Sequence, residues 1–383
     1  MKRLVVCCDG TWGSERNPAV SNIVKIAESV PLRAPSGTGE HVGQQIFYVD
    51  GPGTQGYLAD KLLGGAFGLG LDADLATLYW QLALNWEPGD EIFVFGFSRG
   101  AYIARSLTGM IHRLGLLTPE AMIAKQYPTA LRLYRQRKRD PDDPDRQEWV
   151  DFREKYCHYP IPIKFVGVFD TVGAMGVPGL TSWKHRFHDM RLSPQVHCAR
   201  QALAIDERRR QFAPCLWEVT DQADVTQQRP DRVKQVWFTG SHTDIGGGQS
   251  DCRLSDLTLR WMVDEAADQG LAFEHDRLEQ LMGRTVRNEN AQPNNALSIV
   301  YRMLNLLWLL CNPRSRRFYS DSWRRLDAPE DKKVYLSSTV EIDDDYCPPN
   351  VERWQREIDR PLPTEQVENV VDDDVPGGEP VPV

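Results

Sequence analysis

An α/β fold, with a mostly parallel sheet and helices on both of its faces, is what three observations in this sequence predict. Runs at residues 4–8, 45–49, 91–95, 163–169 and 233–239 are almost continuously apolar, as strands covered on both sides must be. Helical patterns at residues 22–30, 71–86 and 99–112 fall between them, and this alternation marks parallel strands joined by helical crossovers. The run at 91–95 also passes through Gly96-Phe97-Ser98-Arg99-Gly100 straight into a helical pattern, which demands a sharp strand-to-helix turn.

Taken in chain order, the strand at 4–8 ends in Cys7-Cys8 and is followed by the loop Asp9-Gly10-Thr11-Trp12. A glycine-rich stretch at 64–70 looks superficially like a nucleotide cradle, but it follows no strand and reads as a tight entry to the helix at 71–86. Segments 113–162 and 174–232 are long, charged and rich in Arg, Asp and Pro. They read as helical insertions at the sheet's edge that can cap a site, the second with a helical pattern at 196–205. Beyond about residue 255 the strand pattern stops; a helix over 255–269 is expected, then a polar stretch, then SIVYRMLNLLWLLCNP at 298–313. The expected organisation is therefore an α/β core over 1–265, a helical region over 266–364 packed on or near it, and an acidic tail over 365–383 that is expected to be disordered.

The bulk properties exclude several classes. A chain of 383 residues can bury a full core. Its net charge of −9 offers no global basic field for nucleic acid. Eight cysteines lack CxxC or metal-ligand spacing and read as buried thiols of a reducing compartment. The amino terminus is too short in apolar residues for a cleavable signal peptide, and no run of about 18 apolar residues suggests a conventional membrane span. The expected location is cytoplasmic, or exported without a cleavable signal and peripheral to a membrane.

The turn at 96–100 carries the chemistry. A serine at such a turn is lifted clear of the sheet edge above a helix start, and glycines two residues to either side let neighbouring chain approach. A serine hydroxyl is a poor nucleophile, so Ser98 needs a base, an acid to orient that base, and donors for an oxyanion. Asp170 stands at the tip of the 163–169 strand, and His242 lies in the loop after the 233–239 strand. Asp244 and Asp206 are the alternative acids; Asp244 is close to His242 in sequence, and Asp206 has arginines beside it. An Asp at a strand end can also simply cap the next helix. His185, His188 and His197 fall in an insertion and read as solvated or capping residues. For the oxyanion, the N–H of Arg99 is one candidate, with Gly10 or Thr11 supplying the second. A competing reading of VVCCDGT as an aspartyl phosphatase motif lacks the second aspartate two residues on. Gly246-Gly247-Gly248 reads as a bend bringing the His242 loop toward Ser98. No metal or cofactor is called for.

Six segments, CCDGTW near the start, GPGT at 51–54, GDEIFVFGFSRGAYIARSLTGMI at 89–111, GVFDTVGA at 167–174, ALAIDERR at 202–209 and WFTGSHTDIGGG at 237–248, together resemble the DUF2235 family of α/β-hydrolases. That family includes type VI secretion phospholipase effectors of the Tle1 group. The resemblance spans roughly residues 1 to 265. It implies an α/β-hydrolase-like fold, a catalytic role for 1–265, a triad of Ser98, Asp170 and His242, and lipid or other carboxylic-ester substrates. The alternative is a hydrolase-like scaffold that binds a partner and whose triad is non-productive.

Segment 298–325 combines Ile299, Val300, Met303, Leu304, Leu306, Leu307, Trp308, Leu309 and Leu310 with Arg302, Arg314, Arg316, Arg317, Arg324 and Arg325. Such a helix can lie in a lipid interface with its arginines near anionic headgroups. The plainer reading, a buried helix docked on the core or an oligomer contact, is preferred.

Overall fold

A computed structural model describes residues 1–10, 19–35, 41–51, 67–135, 145–172, 192–218, 231–282, 291–311, 318–326, 333–343, 346–357 and 362–367. In chain order the elements are β1 (Lys2–Cys8), α1 (Asn22–Ser29), β2 (Arg33–Pro35), β3 (His41–Val49), α2 (Phe67–Asn85), β4 (Glu91–Phe97) and α3 (Arg99–Leu114). Next come β5 (Leu116–Leu117), α4 (Pro119–Ile123), α5 (Tyr127–Arg135), α6 (Asp145–Tyr156), β6 (Cys157–His158), β7 (Ile163–Phe169), β8 (Val196–Ala204) and β9 (Val233–Phe238). The remainder are α7 (His242–Gly246), α8 (Arg253–Asp268), α9 (His275–Met282), α10 (Ile299–Cys311), β10 (Val334–Ser337), α11 (Pro349–Glu357) and β11 (Thr364–Glu365).

The main sheet runs β11-β10-β9-β8-β7-β4-β1-β3-β2. Its neighbours pair parallel except at the edge, where β2 runs antiparallel to β3. Strand alternation sorts the apolar side chains into two layers. Leu4, Val6, Ile92, Val94, Val166 and Val168 face α2 and α3 on one side. Val5, Phe93, Phe95, Phe165 and Phe169 face α1 and α8 on the other. This is the predicted α/β architecture, and both layers are closed because β1, β4 and β7 carry apolar side chains on both faces.

Two expectations need correction. Residues 196–205, read as helical within an insertion, form β8, a central strand between β7 and β9. Alanine, glutamine and arginine favour helix locally, but here the polar side chains find partners inside the fold. Arg200 Nε donates to Glu265 at 2.6 Å, and Gln201 bonds Thr171 Oγ1 and the Cys215 carbonyl. Burial on both faces thus overrides propensity, and the insertion expected over 174–232 is interrupted by sheet. In the C-terminal region, expected to be helical, β10 and β11 extend the main sheet beyond β9. Leu326, Val340, Val351 and Trp354 of that region pack with Leu203 and Trp237. The tail expected to be disordered begins at 365, but Glu365 ends β11 and Val367 is buried; residues from 368 onward, and 64–66 of the glycine-rich stretch, lie outside the described residues.

Cys7, Cys8, Cys198 and Cys215 are buried free thiols as expected, whereas Cys347 is exposed. Among the described residues no helix is long and apolar enough to cross a membrane.

Candidate functional site

The site is assembled at the carboxyl ends of β4, β7 and β9. Ser98 sits between β4 and α3 with φ 57° and ψ −117°, a conformation that a non-glycine residue rarely holds. Its N–H donates to the Phe169 carbonyl at the end of β7, which ties the turn to the neighbouring strand. The flanking glycines are needed for contact. A Cβ on Gly96 would lie 2.6 Å from Ala101 Cα, and one on Gly100 would lie 2.1 Å from the Cys8 carbonyl oxygen.

Asp170 follows β7 directly, and its N–H donates to the Ala202 carbonyl. His242 opens α7, whose start is capped by Ser241 and Asp244 in a reciprocal box. The three side chains meet: Ser98 Oγ lies 2.8 Å from His242 Nε2, and His242 Nδ1 lies 2.6 Å from Asp170 Oδ2. An ionised carboxylate only accepts, so Nδ1 carries the ring proton and Nε2 accepts from the hydroxyl. Such a chain can take the proton from the hydroxyl and hold it on the imidazole.

Aromatic rings clamp the imidazole. Phe97 lies against it with centroids 4.8 Å apart, and Phe212 meets it edge-on, also at 4.8 Å. Gly246 leaves room for the Phe97 ring, since a Cβ there would lie 2.0 Å from it. The expected bend at the triple glycine therefore also seats the ring that orients His242.

Electrostatics follow from burial. Burial drives the His242 pKa below 6.5, and the Arg209 cation adds to this, while Asp170 and Glu207 oppose it. Burial by itself would raise the Asp170 pKa, but Arg324 and His242 outweigh it and hold this carboxyl well below the usual carboxylate range. Arg324 donates to both Asp170 oxygens, Nη1 to Oδ1 at 2.7 Å and Nη2 to Oδ2 at 2.9 Å. Glu207 accepts the backbone N–H of His242 and a two-pronged contact from Arg209.

Sequence reasoning missed Arg324 and Glu207. Glu207 was within reach, since it lies in the ALAIDERR segment beside Asp206. Arg324, 154 residues from Asp170, carried no local signal. The lipid-interface alternative would have put it near headgroups, but its side chain is fully buried against Asp170.

The alternative acids are engaged elsewhere. Asp206 accepts from the Gly240 N–H and from the Tyr346 hydroxyl, and burial pushes its pKa up to about 6. Asp244 accepts from Ser241 and from Asn294. Of the oxyanion candidates, Arg99 is the first residue of α3, where an N–H has no intrahelical acceptor. Burial pushes its guanidinium down to about 10. The Gly10 N–H, in contrast to expectation, donates to Asp9 Oδ1 at 2.6 Å. Gly10 instead makes room for Phe97, whose ring a Cβ there would approach to 2.7 Å. Thr11 lies outside the described residues, as do His185 and His188, whereas His197 is exposed on β8. Asp9, the rival aspartyl candidate, is buried and accepts from Gly10, Ser21 and Tyr48.

The apolar helix, expected to be buried, is buried along one edge only. Asn305 and Trp308 of α10 face the core, whereas Ile299, Met303, Leu306, Leu307 and Leu310 are exposed. Their spacing places them on one face. Tyr301 of the same helix packs edge-on against Phe212 with centroids 6.2 Å apart, so α10 is one ring removed from the imidazole.

Comparison with known proteins yields several similarities. An uncharacterized Saccharomyces cerevisiae protein, YEL023C, is 29% identical over 230 residues, which cover 55% of this chain and 32% of the yeast protein. The chain therefore spans about a third of that relative's length. The solved structure of the Tle1 effector bound to the VgrG spike from the type 6 secretion system aligns with a TM-score of 0.43 and 14% identity, covering 84% of this chain and 85% of that one. The crystal structure of an uncharacterized protein from Pseudomonas aeruginosa aligns with a TM-score of 0.40 and 19% identity, covering 71% and 46%. The family model described as "T6SS, Phospholipase effector Tle1-like, catalytic domain" matches residues 2–265. Like the motifs that resemble it, this match takes in β1 through most of α8, and the chain belongs to that Tle1-like phospholipase effector family.

Proposed function

We propose that this chain is a serine ester hydrolase acting on lipid carboxylic esters, with Ser98 as nucleophile, His242 as general base and Asp170 as the acid that orients it. The observation that carries the reading is the unbroken chain of hydrogen bonds from Ser98 Oγ through both nitrogens of His242 to Asp170. Family membership supports a lipid ester as the substrate class. Ser98 Oγ attacks the ester carbonyl while its proton passes to His242 Nε2. The tetrahedral oxyanion faces the start of α3, where the Arg99 N–H is the first donor. Collapse expels the alcohol, which takes the proton from His242. Water, deprotonated by the same imidazole, then releases the acid from Ser98. A fluorophosphonate probe should label the full chain and fail to label Ser98→Ala. Failure to label the native chain would favour a non-productive scaffold instead.

The base must be neutral to act, so a depressed His242 pKa has a visible consequence. The acid limb of kcat/KM is expected to have its midpoint below pH 6.5, because the folded value lies below the ordinary one. A midpoint above 6.5 would contradict the burial argument. Stability follows the same signs. As pH falls below 6.5 the unfolded chain takes up the imidazole proton first, so His242 then disfavours the fold. Asp170 contributes stability above its unfolded value of 3.8 that is lost as pH falls through the lower folded value.

Lipid contact belongs to the same reading. The exposed face of α10, with Arg302 also exposed, suits the apolar boundary of a lipid surface beside the site. In sedimentation with vesicles of phosphatidylcholine and phosphatidylglycerol, the chain is expected to pellet and Leu306→Asp/Leu310→Asp to remain in solution. Turnover of a water-soluble ester should be the same for both. Equal pelleting would remove the membrane contact. Point changes are needed because deleting 298–325 also removes Arg324 from Asp170.

A further inference from the structure

The family match ends at residue 265, yet one side chain from well beyond it reaches the centre of the site. Residues 318–324 form a tight turn: Phe318 and Arg324 make an antiparallel bridge, the Tyr319 N–H donates to the Trp323 carbonyl, and Ser322 takes φ 77°. Trp308 of α10 packs on Phe318, and the Arg210 guanidinium donates to the Tyr319 carbonyl. The turn is thus fixed on both sides, and it directs Arg324 inward.

We propose that Arg324 is a positioning residue for the hydrolytic site: its planar guanidinium fixes the plane of the Asp170 carboxylate, and through it the ring of His242. The contact is two-pronged and wholly buried, with neither side chain exposed. Two further acceptors hold the guanidinium itself, the carbonyls of Ala204 and Phe212. The Ala204 N–H completes the set on Asp170 Oδ1 at 3.2 Å. A carboxylate with that many fixed donors has one orientation, and it presents Oδ2 to His242 Nδ1. Parallel N–H···O bonds of this kind supply geometric specificity that a point charge lacks.

Charge balance gives a second reason for an arginine here. An ionised carboxylate buried beside a neutral imidazole would be an uncompensated charge, which desolvation strongly disfavours. The charged groups about the His242–Asp170 pair are Glu207 and Arg209 from the loop after β8, and Arg324 from the 318–324 turn. Two carboxylates, Asp170 and Glu207, are thus matched by two guanidiniums, Arg324 and Arg209, while His242 is neutral. When His242 takes the Ser98 proton, the cluster gains one positive charge, and Arg324 moderates how strongly Asp170 holds it.

The inference rests on the Ser98–His242–Asp170 reading, and the test separates the two. Arg324→Met and Arg324→Lys are made in the full chain, their folding is checked by circular dichroism and urea melts, and turnover of a short-chain nitrophenyl ester is followed against pH. Arg324→Met is expected to lose about 100-fold in kcat, the scale on which a small displacement of a reacting group acts, with KM within about twofold because Arg324 touches no substrate. Its acid limb should move to higher pH, since Asp170 without its guanidinium favours imidazolium more strongly. Arg324→Lys keeps a buried cation but not the fork and should fall between the two. A folded Met or Lys variant with native kcat and an unmoved acid limb would overturn the inference. Failure of both variants to fold would also overturn it and assign Arg324 to the scaffold. Native turnover in Ser98→Ala would instead sink the hydrolase reading itself.

Discussion

Ser98→Ala is expected to lower kcat for a nitrophenyl ester by about 10⁵- to 10⁶-fold, the scale set by removing the serine of other hydrolytic triads. The size of the effect follows from the role, because no other group among those meeting at His242 can form the acyl intermediate. Folding should survive. Ser98 is 6% exposed and its hydroxyl meets His242 Nε2, so alanine removes one hydrogen bond, worth about 1 kcal/mol. The backbone strain at φ 57° is the same for alanine as for serine. Measuring turnover and a urea melt on the same preparation separates chemistry from folding. A folded variant that retained even one per cent of native turnover would place the nucleophile elsewhere.

Gly100→Ala should produce the second large effect, and its sign is opposite to helix propensity. Alanine in a helix normally gains about 1 kcal/mol over glycine. Here the added carbon would sit 2.1 Å from the Cys8 carbonyl oxygen and 2.3 Å from that of Asp9, both backbone atoms of β1 and its exit. Backbone in a central strand cannot yield, so α3 must shift and carry the elbow with it. A loss of about 3 kcal/mol is expected, at the upper end for overpacking, together with loss of turnover. Gly109→Ala in the same helix is the control. Its new carbon meets the end of the Tyr134 side chain at 3.3 Å, which can move, so stability should stay within about 1 kcal/mol of native. If both variants melt alike, close packing of the elbow on β1 is not what the glycine serves.

Much of the site was legible in the sequence because its parts are local. The elbow shows as an apolar run, five residues and a helix, and β4 and α3 meet there as expected. β7 ends at Phe169, one residue before Asp170. β9 leads through Gly240, with φ 124°, into the capped turn that begins at His242. In each case the chemistry-bearing residue follows its strand within a few positions, so a parallel sheet places all three at the same edge.

Most other features were hidden because they depend on partners distant in the chain. β8 carries Arg200 and Gln201 in a central strand, a composition that only makes sense once Glu265 and the Cys215 carbonyl are in place to receive them. The Gly10 N–H was a reasonable oxyanion donor by position, but a neighbouring carboxylate accepts it. Only one edge of α10 is covered by the core, which depends on neighbours that hydrophobicity cannot name.

From its sequence alone this chain had a parallel α/β sheet, a strained serine at a strand end, and an aspartate and a histidine at the tips of two other strands, because apolar periodicity and turn chemistry act over a few residues. Tertiary structure decided the orientation of the groups: which aspartate meets the imidazole, that Arg324 grips it, and which face of α10 stays open. The first two depend on buried polar groups finding partners 72 and 154 residues away, and desolvation makes such pairings decisive without leaving a local pattern in the chain.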